Sequence, residues 1–132
     1  MRLAILTATL ALAGCTASGE MQASQRARSD RELAEALEGR VAGAPQDCIS
    51  AQGTNGPRII DAGTILYSDG RRTYVNKLEA SCPGLSPYDT IVIELHGSQI
   101  CRNDLFRTID PGNRIPGPYC RLAKFVPYEK PR

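Results

Sequence analysis

Histidine occurs once in this chain, at His96, tryptophan is missing altogether, and no cysteine lies close to another. A single imidazole excludes metal sites built from two or three histidines, and any histidine-dependent dyad would have to use His96. The wide cysteine spacing lacks the C-x2-C pairs of zinc sites, so neither a metal nor a cofactor is called for. No G-x-S-x-G, H-E-x-x-H, P-loop or dinucleotide fingerprint occurs, and no residue pattern specifies a catalytic group. Charge of one sign is lacking too: 16 basic and 14 acidic residues are scattered along the chain. There is thus no electrostatic case for a nucleic-acid partner or for an anionic lipid surface. The main apolar run, Leu3 to Ala13, falls well short of the roughly 20 residues that span a bilayer.

That short run leads into Leu12-Ala13-Gly14-Cys15. Met1-Arg2 supplies a positive start, the apolar segment has the length of a secretory leader, and small residues stand directly before a cysteine. The pattern resembles the lipobox of bacterial lipoproteins. The resemblance implies cleavage between Gly14 and Cys15, a diacylglycerol on the Cys15 thiol and acylation of the freed amine. Several acyl chains anchor a protein far more firmly than one, so the expected product is lipid-anchored and not spanning. Thr16 stands where an Asp would mark retention at the inner membrane, which implies attachment to the outer membrane facing the periplasm.

Without residues 1–14 the chain has 118 residues and a charge of +1, enough for one domain with a modest core. Four cysteines then remain, Cys48, Cys82, Cys101 and Cys120, an even number that in an exported chain implies two disulfides. Long loops favour Cys48 with Cys101 and Cys82 with Cys120; Cys48 with Cys120 and Cys82 with Cys101 is nearly as good by the same loop-entropy reasoning.

Residues 15–28 are small and polar with no apolar period and read as a flexible tether. Ser29-Asp30-Arg31-Glu32 has the form of a capping box, Leu33, Leu37 and Val41 make a thin stripe, and Gly43 and Pro45 end the run, which predicts a helix over 29–42. From Cys48 to Tyr128 the period becomes that of strands. Thr64–Ser68, Asp69-Gly70 and Arg71–Leu78 predict a hairpin on a two-residue turn, with Tyr67 facing Arg72 and Ile65 facing Tyr74. Thr90–His96, Gly97-Ser98 and Gln99–Arg102 predict a second hairpin. Further strands are expected at Pro57–Asp61, at Leu105–Ile109 ending in the turn Asp110–Asn113, and at Tyr119–Val126. The expected fold is mainly β with one N-terminal helix, a small antiparallel sandwich or barrel stapled by two disulfides, forming a single globular domain over 29–132.

The segments "DCIS", "TILYSDGRRTYVNKL", "SCPGL", "ICRNDLFR" and "YCRLAKFVPY" resemble a group of uncharacterised small envelope proteins of alphaproteobacteria. The resemblance implies a common fold and shared cysteines and brings no activity.

The remaining chemistry-bearing residues are few. Asp61, Asp89, Asp104 and Asp110 adjoin turns or strand ends, where Asp accepts backbone hydrogen bonds; a glycosidase pair would leave no local signature. His96 sits at the mouth of the Gly97-Ser98 turn. Tyr67, Tyr74, Tyr88, Tyr119 and Tyr128 would line a sugar or peptide groove if they converged, whereas sheet packing accounts equally for Tyr67 and Tyr74. The expectation is a non-enzymatic envelope lipoprotein that binds another envelope component, a protein. The alternatives are a periplasmic inhibitor of a lysozyme-type enzyme and a weak cell-wall hydrolase.

Overall fold

The structure, a computed structural model, describes residues 14–132. The leader reading of residues 1–14 therefore falls almost wholly outside the described residues, as does the side chain of Cys15. Helix α1 runs from Gly14 to Ala36 and is followed by ten strands: β1 Val41–Ala42, β2 Cys48–Ser50, β3 Asn55–Asp61, β4 Thr64–Ser68, β5 Arg72–Lys77, β6 Thr90–Ile93, β7 Gln99–Cys101, β8 Leu105–Ile109, β9 Cys120–Arg121 and β10 Phe125–Glu129. All pairings are antiparallel and form three sheets, β1-β10-β5-β4-β3, β2-β7 and β6-β8-β9.

The strand period of two sorts β4 and β5 onto two cores. Ile65, Tyr67 and Tyr74 point to one side, where they meet Ile49, Ile59, Ile100, Phe106, Leu122 and Phe125 from the other strands. Leu66 and Val75 point to the opposite side with Ile60, where Leu33, Ala36 and Leu37 of α1 and Tyr128 cover them. The five-stranded sheet is thus a middle layer between the helix and the two smaller sheets, and it is open at β1 and β3.

The predicted tether is helical. Residues 16–28 are mostly good helix formers, Ala, Met, Gln and Arg among them, and a missing apolar period means only that a helix has no buried face, not that it is not a helix. Residues 18–28 are all exposed. Ser29 is consequently not a cap but a mid-helix residue, and its hydroxyl donates to the Ile60 carbonyl at 3.2 Å while Glu32 pairs with Arg58 at 3.6 Å. These two contacts seat the helix on β3. The helical path ends before the expected stop at Gly43, because Gly39 adopts a left-handed φ of +66°. Val41, expected on the helical stripe, instead opens β1.

The first hairpin forms, but its turn is centred on Gly70-Arg71 and Tyr67 faces Tyr74. The Asp69 carboxylate accepts the amides of Arg71 (3.2 Å) and Arg72 (2.9 Å), and only Gly70, at +86°, takes positive φ. A type I′ turn on Asp69-Gly70 would need positive φ at both. The slip changes each partner by two residues, so every side chain keeps its expected face. The second predicted hairpin does not exist. Its arms enter different sheets: β6 pairs with β8, while β7 pairs with β2 so that Cys48 lies directly opposite Cys101. The Gly97-Ser98 signal reported a change of direction, and the non-local disulfide decided the pairing. Tyr119–Val126 likewise splits into β9 and β10, since Leu122 to Lys124 leave one sheet for the other.

Both disulfides are present, Cys48–Cys101 and Cys82–Cys120. Cys82 is 1% exposed and belongs to the main core. A second device unites the sheets. Asn76 on β5 is fully buried; its amide nitrogen donates to the Ala123 carbonyl (2.8 Å) and its oxygen accepts the Ala123 amide (3.0 Å). This two-way bond fixes the chain where it crosses from the three-stranded to the five-stranded sheet.

Candidate functional site

The four singled-out aspartates do not converge, and each caps its own turn. Asp61 accepts the Gly63 amide (2.8 Å), Asp89 that of Ser86 (3.1 Å), Asp104 that of Cys101 (2.7 Å), and Asp110 those of Gly112 and Asn113 (2.7 and 3.0 Å). His96 is exposed in the link between β6 and β7. The tyrosines do not share a groove either. Tyr67 and Tyr74 are in the core, Tyr128 packs against the smaller cluster of Ile60, Leu66 and Val75, and Tyr88 and Tyr119 are exposed.

Two tyrosines sit in polar settings of opposite kind. The Tyr67 ring meets Phe125 edge-on at 5.7 Å, and its hydroxyl is buried with no hydrogen-bond partner among the described residues. Burial, with a smaller effect from the charge of Asp104, raises this phenol far above its ordinary value. The Tyr74 hydroxyl emerges at the hairpin end, donates to Asp69 at 2.9 Å and accepts from Arg72, which also pairs with Glu129 on β10. Burial pushes the Asp69 carboxyl up, but the amides of Arg72 and Arg71, the Tyr74 hydroxyl and the Arg72 charge outweigh it and hold it below the usual carboxylate value. This group clips the turn to β10.

The surface with the chemistry of recognition is the outer face of the β6-β8-β9 sheet. In this sheet Ile91, Ile93, Phe106 and Cys120 turn toward the core, so the alternate residues form the outer face. Val92 stands opposite Arg107, Thr90 opposite Ile109, and Leu105 opposite Arg121. Tyr119, just before β9, extends across the face: its hydroxyl donates to Glu94 at 3.2 Å, and the Arg107 guanidinium lies 5.3 Å from its ring centre. Tyr119 is 53% and Val92 39% exposed. A rigid aromatic, a guanidinium stacked on it and surrounding aliphatic groups are what protein interfaces concentrate at their energetic centres.

This face carries two guanidiniums, Arg107 and Arg121, and one carboxylate, Glu94, which accepts the Tyr119 hydroxyl. Arg107 is committed to an aromatic ring and Arg121 donates to the Asn103 carbonyl at 3.4 Å; neither meets a carboxylate among the described residues. Elsewhere, a shallow groove of about 450 Å³ is floored by Val75, Val126 and Tyr128. It is lined by three cations and Glu79; of the cations, Arg102 and Lys124 share Asp47 at 3.9 Å each, and the third is Lys77. Sequence reading missed the sheet face because Val92, Arg107 and Tyr119 come together only through the β6-β8 and β8-β9 pairings, and the predicted second hairpin obscured both.

Among the described residues no helix is long and apolar enough to cross a membrane, and no cluster of three potential metal ligands occurs. Residues 1–130 match a family of unknown function (DUF6491). No curated protein and no solved structure matches the chain.

Proposed function

The chain belongs to the DUF6491 family, and from that starting point we propose that it is a lipid-anchored protein of the bacterial envelope that acts by binding another envelope protein. The anchor is Cys15, by the lipobox reading of Leu12 to Cys15. The attachment is to the outer membrane, with the domain facing the periplasm. The two disulfides suit an oxidising compartment, and the exposed helix from residue 18 to residue 28 suits a spacer. At 1.5 Å per residue, the helix from Cys15 to Ser29 would hold the domain about 20 Å from the lipid.

The observation that carries the binding role is the outer sheet face, on which Tyr119 and Arg107 stack among Val92, Leu105 and Ile109. Two guanidiniums without carboxylate partners fit a protein surface that presents acidic side chains beside apolar ones. The role is tested with chemical crosslinking in intact cells. Arg107→Glu should abolish capture of the partner while leaving the domain folded, and Cys15→Ala should release the protein from the membrane fraction. Inhibition of a lysozyme by the purified protein would instead point to a periplasmic inhibitor. Retained capture by Arg107→Glu would remove the sheet face from the account.

A further inference from the structure

The three-stranded sheet ends in a bare edge. The Glu94 amide donates to the Leu105 carbonyl at 3.3 Å. In the register Val92↔Arg107 and Thr90↔Ile109, residues 90, 92 and 94 therefore direct their backbone groups at β8. By the alternation of an antiparallel ladder, Ile91 and Ile93 direct theirs outward. Among the described residues no hydrogen bond takes up these outward groups.

The other edges of the two larger sheets are protected in the ways sheets usually are. Strand β3 contains Pro57, has two register shifts and carries the helix through Ser29 and Glu32. Strands β1 and β9 are two residues long, and Pro118 lies just ahead of β9. Strand β6 reads Thr-Ile-Val-Ile, with no charge, no proline and no register shift.

We propose that β6 pairs with β6 of a second copy of this chain, antiparallel about a twofold axis at Val92, to give a continuous six-stranded sheet. In this register Ile91 faces Ile93 of the second copy, and the two pairs exchange four backbone hydrogen bonds. Val92 faces Val92, and Thr90 faces Glu94 of the second copy, so apolar meets apolar at the centre and no like charges oppose. The Arg107 side chains lie three strand spacings apart, about 14 Å, where they do not repel strongly. The edge is complementary to itself, which is what an isologous interface requires. The inference stands on this edge alone and does not depend on the anchor or on what the outer face binds. It does predict that two such faces merge into one. A seam of four residues is small, so the dimer belongs to the weak, transient class.

The test uses the full-length chain in mild detergent with single added cysteines. A non-hydrogen-bonded pair brings its Cα atoms to about 4.5 Å, inside the range a disulfide spans. Val92→Cys should therefore form a covalent dimer under mild oxidation far faster than Thr90→Cys, which faces Glu94, or than Glu79→Cys, an exposed control. The unsubstituted chain sets the background of Cys15. In parallel, Val92→Lys should abolish the rise of sedimentation mass with concentration while Val92→Thr keeps it. Crosslinking of Val92→Cys at the control rate would overturn the proposal, as would a mass independent of concentration in the unsubstituted chain. Capture in cells of a different protein at Val92→Cys, with no dimer from purified material, would overturn self-pairing and assign the edge to a foreign strand.

Discussion

Asn76 carries the sharpest stability prediction. Replacing it with Leu keeps the branched shape and the number of heavy atoms, though in a larger side chain, and removes both bonds to Ala123, whose amide and carbonyl sit in a residue only 7% exposed. Each buried backbone group left without a partner costs about 1–3 kcal/mol, so Asn76→Leu should destabilise by about 3 kcal/mol, allowing for partial relaxation. For a domain of this size that is a fall in melting temperature of roughly 10 °C. Urea titration followed by circular dichroism measures it directly, with the slope unchanged if the denatured state is unaffected. Asn76→Asp separates hydrogen bonding from packing. An ionised carboxylate accepts from the Ala123 amide but confronts its carbonyl, whereas a protonated one can donate to it. Burial raises the folded-state pKa of such an aspartate, so this variant's deficit should be largest at neutral pH and shrink as pH falls through that raised value. A loss below about 0.5 kcal/mol for Asn76→Leu, the range of neutral surface changes, would refute the reasoning.

Further outcomes follow from the same structure. Tyr67→Phe removes a buried hydroxyl without a protein partner and should be neutral or stabilising by about 1 kcal/mol in thermal melts. Because burial raises the Tyr67 and Tyr74 phenols, stability should be full below the free phenol value of about 10 and fall as pH rises above it. Tyr67→Phe should flatten that alkaline slope. The lowered Asp69 carboxyl contributes stability that is present above the unfolded value of about 4 and lost as pH falls through the still lower folded value; Asp69→Asn should lose that part of the acid dependence. Replacing Cys82 and Cys120 together by Ala opens a link of sequence separation 38, with an expected cost of about 4 kcal/mol in the chain-entropy picture.

What the sequence made legible was local. Pro57–Asp61, Leu105–Ile109 and the Asp110 turn fall where strand period and turn chemistry place them, and the four Asp residues cap turns as their neighbours imply. The disulfides follow the pairing that long loops favour. What failed was non-local or depended on a missing signal. The β6-β7 hairpin failed because pairing is settled by where Ile100 and Cys101 can be buried and bridged, not by the turn that precedes them. The helix over residues 14–28 was hidden because an apolar stripe reveals packing and not helicity itself. The outer sheet face was illegible for a related reason: Val92, Arg107 and Tyr119 are separated in sequence by 15 and 12 residues, and only the β8 pairings bring them together.

The binding role of that face is tested most directly by placing a photo-crosslinking residue at Tyr119 in intact cells and comparing it with one at Arg26 on the exposed helix. The account predicts a specific adduct with one envelope protein from position 119, lost when Arg107 is reversed to Glu, and none from position 26. Equal labelling from both positions, or an adduct at 119 indifferent to Arg107, would contradict it.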